Sequence, residues 1–579
     1  MRISELVLRP ERSKTIPARF KGWPLLSRSR WILPLALSLQ SVLLFSHLSL
    51  LPIWTDELFT FEVVGKAVPE MLQVLQRDIH PPLYFLLLHI WPWNSIEGLR
   101  AFSALWALAA TALLNCLWVR NWRPERRMIA LALFAFSPCL LLYGRMARSY
   151  TMQTAFALLA VWLLWRSLRL RRPILGAAVA SLALLYTHYV PGIAVIAAFG
   201  LAELWLGRPR RATAIFALFV LGYLPWLLTL SDALSRWSSA AGFSSQYKLT
   251  GALWSEHLLK LAFGTVSLTI GETLFPASLL IVPMVLYFVG RGVSRSPRTL
   301  TLCLCFAGVL GYFGVSRWVS YPFVPARLLW LLPFLVLSLM AGMGARRWPS
   351  AILLISSVAS IFSYFAGINY LNHGYQAPLR EIAAELNRRV SPRDRIIIDG
   401  HNTDYGAQVH YLLPQARALV APGDPQFVRS ELAKARRVWF VRNLRDISPR
   451  LATSALQNEF CASRARQEWR FLPYDPWQFW LLKEAHGRPS DALLRCDALR
   501  PAARMTQDQL RNFVPRSYVM TLAVLARENT VEHTEERWIP RCVKPSSRPR
   551  VWARGFFPPR RHSPRRCCLW STSPSSSTA

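Results

Sequence analysis

Hydrophobic positions along this chain fall into long unbroken blocks rather than short alternations. Apolar runs near 31–51, 99–119, 128–144, 149–166, 173–188, 190–206, 212–230, 274–290, 299–315, 327–344 and 349–368 suit helices crossing a bilayer core, which takes about 20 residues. They predict about eleven transmembrane helices within residues 31–368. A further apolar stretch at 82–93 is short and interrupted by Pro92, which predicts a re-entrant or interfacial helix. From 369 onward the pattern changes. Residues 379–386 repeat as an amphipathic helix, 395–399 (RIIID) and 437–441 (RVWFV) as buried strands, and 403–413 and 451–460 as helices. This alternation predicts a small α/β soluble domain, Rossmann-like in outline, with its regular elements ending around 485. No GxGxxG turn accompanies it, so a dinucleotide role has no support.

Charge orients the helices. The N-terminal residues 1–30 are basic and are expected in the cytoplasm, because cations accumulate in cytoplasmic loops. Clusters at Arg120/Arg123/Arg126/Arg127, Arg166/Arg169/Arg171/Arg172, Arg208/Arg210/Arg211, Arg291/Arg295/Arg298 and Arg346/Arg347 all fall on that same side under the proposed spans. With eleven crossings, residues 369–541 form an extracytoplasmic domain. Residues 542–579 carry eight cations and no acid, end in SPSSSTA, and read as a disordered Arg/Pro/Ser-rich tail.

Composition agrees with a membrane protein: 53% of residues are hydrophobic and 17% charged, against about 25% charged in a soluble domain. The net charge of +36 does not signal nucleic acid, since arginine outnumbers lysine 60 to 8 and the cations sit as short clusters between apolar runs. The nine cysteines form no zinc pattern, and Cys461 and Cys496 could pair in an oxidising compartment.

Acids are scarce where lipid is near. Residues 1–368 hold thirteen Asp or Glu, and five of them (Asp56, Glu57, Glu62, Glu70 and Asp78) fall in the first outer loop, 52–82. Glu62 and Glu70 read as solvated loop charge. Asp56 and Glu57 are adjacent, at the exit of the first helix within WTDELFTF, where an unpaired carboxylate is costly unless it has a task. They are the candidate catalytic pair. His80-Pro81-Pro82-Leu83-Tyr84 closes the loop, its prolines fixing the backbone around His80 and Tyr84, although a plain structural turn has the same pattern. Arg145, Arg148 and Tyr150 in YGRMARSY lie between the third and fourth spans on the outer side, against the positive-inside trend. On a helix, 145 and 148 would share a face. Either they reach lipid head groups or, together with Arg327 in PARLLWLLPF, they hold a phosphate in the planar guanidinium fork. His188 in YTHYVPG is either a packed histidine or a minor binding group. His257 and Glu272 could meet a divalent ion with Glu57, but no ligand spacing supports this and the metal is unassigned.

Taken together, WTDELFTF, DIHPPLYFLLLHIW, YGRMARSYTMQTAFALLAVWLLWR, YTHYVPG and PARLLWLLPFL resemble bacterial polytopic glycosyltransferases of the GT-C superfamily, of the protein-mannosyltransferase and lipid A aminoarabinose-transferase type. The resemblance covers residues 30–370. It implies a bacterial inner-membrane enzyme that uses a polyprenyl-phosphate-linked sugar and transfers it, on the non-cytoplasmic face, to a protein, lipid A or glycan acceptor. It also matches Asp56-Glu57 to the family's acidic motif, His80-Pro81-Pro82 to its His-Pro-Pro element, and Arg148 and Tyr150 to its arginine-tyrosine element. No certain cofactor is implied, and a divalent metal is compatible. The expected chemistry is an inverting displacement with Asp56 as general base and with Glu57 and His80 orienting Asp56 or the acceptor. The alternative is a polytopic transporter of a sugar-phosphate or lipid-linked substrate, which would be expected to show internal repeats and mid-membrane charges.

Overall fold

The structure, a computed structural model, describes residues 29–46, 48, 53–78, 80–170, 175–239, 268, 271, 275–293, 325–365, 378–392, 394–398, 408, 411–413, 418–420, 430, 432, 435, 437–443, 460–461, 465–471, 491–497 and 523–525. Helix α1 (Ile32–Phe45) is followed by three short helices, α2 (Thr55–Val64), α3 (Val68–Arg77) and α4 (Leu83–His89). Then come α5 (Ile96–Leu113), α6 (Pro124–Ala135), α7 (Pro138–Gly144), α8 (Tyr150–Leu170), α9 (Leu175–Thr187), α10 (Tyr189–Trp205), α11 (Pro209–Ser239), α12 (Phe275–Val293), α13 (Pro325–Leu328), α14 (Leu332–Met343) and α15 (Trp348–Phe365). Each apolar run within the described residues is therefore helical, while the run at 299–315 lies outside them.

Among the described residues, Ile96–Val119, Pro209–Thr229 and Ala326–Met343 are long and apolar enough to cross a membrane singly. Pro124–Ala135 and Pro138–Gly144 qualify as a pair bent by 49°. The bend falls at Ser137-Pro138, where proline brings no backbone donor and its ring crowds the preceding turn. Helix α4 has seven residues and is too short to cross.

Two features lock the helices together. At the α12–α14 crossing, a Cβ on Gly342 would lie 1.8 Å from the Phe288 carbonyl oxygen, and one on Gly292 would lie 2.0 Å from that of Ser338. Only glycine lets the backbones approach this closely. The arginines read above as orientation signals also serve as caps. Arg208 donates to the Leu168 carbonyl at 3.1 Å and Arg211 to the Ser167 hydroxyl at 2.9 Å, satisfying the last turn of α8. Both arginines approach the buried carboxylate of Glu203.

Beyond the bundle, α16 (Leu379–Arg389) precedes six strands, β1 (Arg395–Ile398), β2 (Ala418–Val420), β3 (Arg437–Asn443), β4 (Ala465–Phe471), β5 (Asp491–Asp497) and β6 (Ala523–Leu525). They form one sheet in the order β2-β1-β3-β5-β4-β6. Strand β1 pairs in parallel with β2 and β3, whereas β5 and β4 run antiparallel to their neighbours. This corrects the expectation of a Rossmann-like unit ending near 485: the sheet is mixed, and β5 and β6 lie past that point. Their flanking charges, as in DALLRCD, hid the apolar core of β5. Strand β3 is apolar on both faces because both are covered. Trp439 and Val441 pack under α16 with Leu379, Ile382 and Leu386, and Val438 and Phe440 pack on the opposite face with Leu494 and Cys496. Cys461 and Cys496 form a disulfide. The C-terminal part of the molecule touches the helix bundle directly, through an edge-to-face contact of Tyr411 on Phe61 of α2 at 5.4 Å and an ion pair of Arg380 with Glu97, in the first turn of α5, at 2.9 Å.

Candidate active site

Helix α2 starts where Trp54 is extended (φ −90°, ψ 149°), so Asp56 and Glu57 fall in its first turn, at the positive end of the helix dipole. From there they diverge. The Glu57 carboxylate folds inward and accepts from the Trp54 backbone N–H at 2.9 Å, closing the helix start. Arg100 Nε donates to Oε1 at 2.8 Å and Arg100 Nη2 to Oε2 at 2.7 Å, a bidentate pair. The Ala147 backbone N–H donates to Oε1 at 2.8 Å, and Arg100 Nη1 donates to the Leu48 carbonyl at 2.7 Å. Both side chains are 1% exposed. All four acceptor sites of this carboxylate are filled. An acid with no open lone pair and no access to solvent is not placed to take a substrate proton. It clamps α2, α5 and the α7–α8 connection instead.

Asp56 is 51% exposed. Its Oδ2 lies 3.5 Å from Arg148 Nη2, and its main-chain oxygen accepts from Arg148 Nη1 at 3.2 Å and from the Thr60 hydroxyl at 2.9 Å. The same Arg148 Nη2 lies 2.9 Å from His80 Nε2. A guanidinium only donates, so His80 accepts at that nitrogen. The His80 ring sits between Phe59, at 5.4 Å, and Phe85, at 6.0 Å. Ser103 on α5 donates its hydroxyl proton to the Arg148 carbonyl at 3.1 Å. The Tyr84 hydroxyl, 2.8 Å from Ser103 Oγ, must then be the donor in that contact.

Beside Asp56 and across Arg148 opens a cleft of about 390 Å³, counting space open to solvent. His80, Tyr84, Arg148, Tyr150, His188 and Arg327 line it, with Pro81, Phe85, Ser149 and Thr187 between them. His188 caps α10, its Nδ1 accepting from the Val190 backbone N–H at 3.2 Å, which leaves Nε2 as the donor side. Two guanidinium groups and two imidazoles face the cleft and, among the described residues, none that lines it is an acid, so its charge suits an anion.

The structure brings six of the expected binding residues to one cleft: His80, Tyr84, Arg148, Tyr150, His188 and Arg327. Arg145 does not join them. Residues 145–148 form a turn rather than a helix, so the shared face expected for 145 and 148 does not exist. Arg145 is buried and donates to the Ser46 carbonyl at 2.7 Å. Sequence reasoning also missed Arg100, Ser103 and the proximity of Asp78 to His80. A signal for Arg100 was available, since an arginine near the start of an apolar run marks a buried partner or a site. Nothing in the sequence pattern distinguishes Asp78 from its solvated neighbours. Among the described residues no three His, Cys, Asp or Glu side chains gather as a metal site, and His257 and Glu272 lie outside those residues.

The sequence matches no protein-family description and no curated protein. Solved structures do match. The apo form of ArnT from Cupriavidus metallidurans is similar over 81% of this chain and 98% of its own, at 10% identity and a TM-score of 0.45. The same protein bound to undecaprenyl phosphate matches over 82% and 99%, at 9% identity and a TM-score of 0.35. An Archaeoglobus fulgidus oligosaccharyltransferase in complex with Zn and sulfate matches over 71% and 67%, at 14% identity and a TM-score of 0.38.

Proposed function

We propose that this protein is a membrane glycosyltransferase that moves a sugar from a polyprenyl-phosphate donor to an acceptor on the non-cytoplasmic face of a bacterial inner membrane. The observation that carries the reading is the juxtaposition of an exposed carboxylate, Asp56, with a cationic cleft, the two joined by Arg148. The order of motifs along residues 30–370 gives the same reading.

In this mechanism Asp56 takes the proton of an acceptor hydroxyl or amine as that atom attacks the anomeric carbon. The bond from that carbon to the phosphate oxygen breaks, and its electron pair leaves with the polyprenyl phosphate. That leaving group is stable as an anion, so no second carboxylate is needed to protonate it. One displacement inverts the anomeric centre, by the geometry of inverting glycosidases. Arg148 and Arg327 neutralise charge on the departing phosphate, and His80, His188, Tyr84 and Tyr150 shape its seat. Glu57 acts by holding the start of α2, and thereby Asp56, in place.

The Cys461–Cys496 disulfide suits an oxidising compartment. The C-terminal part that carries it touches α2, the helix whose first turn holds Asp56, through Tyr411, and the start of α5 through Arg380. Both observations support an extracytoplasmic site. The test is a panel of polyprenyl-phosphate sugars offered to the purified protein and to Asp56→Asn, with released polyprenyl phosphate and glycosylated acceptor both measured. Transfer by the native protein and its loss in the variant is the expected result. Equal turnover by both proteins, or sugar-phosphate uptake into proteoliposomes without transfer, overturns the reading.

A further inference from the structure

Asp78 belongs to none of the roles described so far, yet it stands behind His80. It is the C-cap of α3, its backbone N–H donating to the Val74 carbonyl at 3.0 Å. Its Oδ1 lies 3.2 Å from His80 Nδ1. That approach is oblique rather than in line, since the buried Nδ1 makes no aligned hydrogen bond. Site contacts of this kind are often loose before a ligand arrives and tighten afterwards. The ring has few ways to turn: Phe59 and Phe85 pack against it, and the following Pro81-Pro82 stiffens the backbone. One ring nitrogen therefore faces Asp78 and the other faces Arg148.

We propose that Asp78 is a positioning residue that keeps the His80 ring proton on Nδ1, so that Nε2 presents a lone pair to Arg148 and holds its guanidinium between Asp56 and the cleft. A carboxylate accepts and never donates, and a guanidinium donates and never accepts. A neutral imidazole between them satisfies both with one tautomer only. With the proton moved to Nε2, two N–H groups would face each other across 2.9 Å and Arg148 would withdraw from Asp56. The line Asp78–His80–Arg148–Asp56 thus converts a charge at the end of α3 into the aim of the phosphate-binding arginine. This is the general behaviour of histidine, whose second nitrogen is set by what its first one meets.

The kinetic consequence rests on the glycosyltransferase reading, whereas the tautomer does not. The first measurement is therefore nitrogen-15 NMR of histidine-labelled protein in nanodiscs, with the His80 signals assigned by their loss in His80→Gln. The proton is expected on Nδ1 in the native protein and is expected to move to Nε2, at least in part, in Asp78→Ala. A native Nε2–H tautomer, or an Nδ1–H tautomer that survives Asp78→Ala, overturns the proposal even if no donor is ever found. The second measurement is donor KM and kcat. Asp78→Ala should raise donor KM by about tenfold, the size of one charge-assisted hydrogen bond, with a smaller change in kcat. Asp78→Asn, whose side-chain oxygen still accepts from Nδ1–H, should lose less than Asp78→Ala. In a His80→Gln background the Gln oxygen can accept from Arg148 without any help from Asp78, so adding Asp78→Ala should cost nothing more. A full Asp78→Ala penalty in that background, or equal losses in Asp78→Asn and Asp78→Ala, would show that Asp78 works by another route and end the proposal.

Discussion

Two carboxylate–arginine pairs begin from neighbouring residues and end in opposite surroundings. Glu57 and Arg100 are sealed inside the helix bundle, with every acceptor of the acid filled. Asp56 and Arg148 meet at the rim, where the acid is half exposed and its Oδ2 stands 3.5 Å from the arginine. The difference is geometric: consecutive helical residues point about 100° apart, so one enters the core and the other faces out. A sealed pair fixes structure, because breaking it leaves a charge buried. An open pair keeps lone pairs available for a substrate, and the same arginine can serve an incoming phosphate.

Substitutions should separate the two pairs, and the largest effect belongs to the sealed one. Glu57→Ala strands Arg100 and should cost about 3–5 kcal/mol of stability, read as a lowered unfolding midpoint in detergent. Asp56→Ala should leave that midpoint within about 0.5 kcal/mol. Equal losses in both variants would erase the distinction drawn here. On activity the order reverses, and Asp56→Asn should lower transfer by about a hundredfold or more with folding intact. Arg148→Ala should follow with a donor KM raised about tenfold. Because its pair is exposed, added salt should weaken donor use in the native protein without moving the unfolding midpoint.

The smallest effect concerns a third kind of carboxyl, the half-buried Glu381 on α16. Burial holds the Glu381 carboxyl above the ordinary carboxylate range, despite an opposing backbone hydrogen bond and Arg380. The folded state therefore binds this proton more tightly than the unfolded chain does, and stability falls as pH rises through the raised value. Glu381→Gln removes that handicap and should gain about 0.5 kcal/mol near neutral pH. The gain should vanish as pH drops below the ordinary carboxylate range, and a gain that grows on acidification would contradict it.

Hydrophobic block length was enough to place α1, α5–α12, α14 and α15, since a helix in lipid satisfies its own backbone and needs only an apolar exterior. The scarcity of acids was enough to single out Asp56-Glu57, and the isolated outward arginines to single out Arg148 and Arg327. Composition could not divide labour within these groups. Asp56 from Glu57, and Arg148 from Arg145, differ by which way one turn of backbone faces, and that depends on Arg100, Ala147, Ser46 and Ser103, which are remote along the chain. The same holds for the sheet, where the strand core of β5 hides between charges until β3 and β4 pair with it on either side. Periodicity along a chain reports what each segment buries, whereas the partner of a buried polar group is chosen only when distant segments meet.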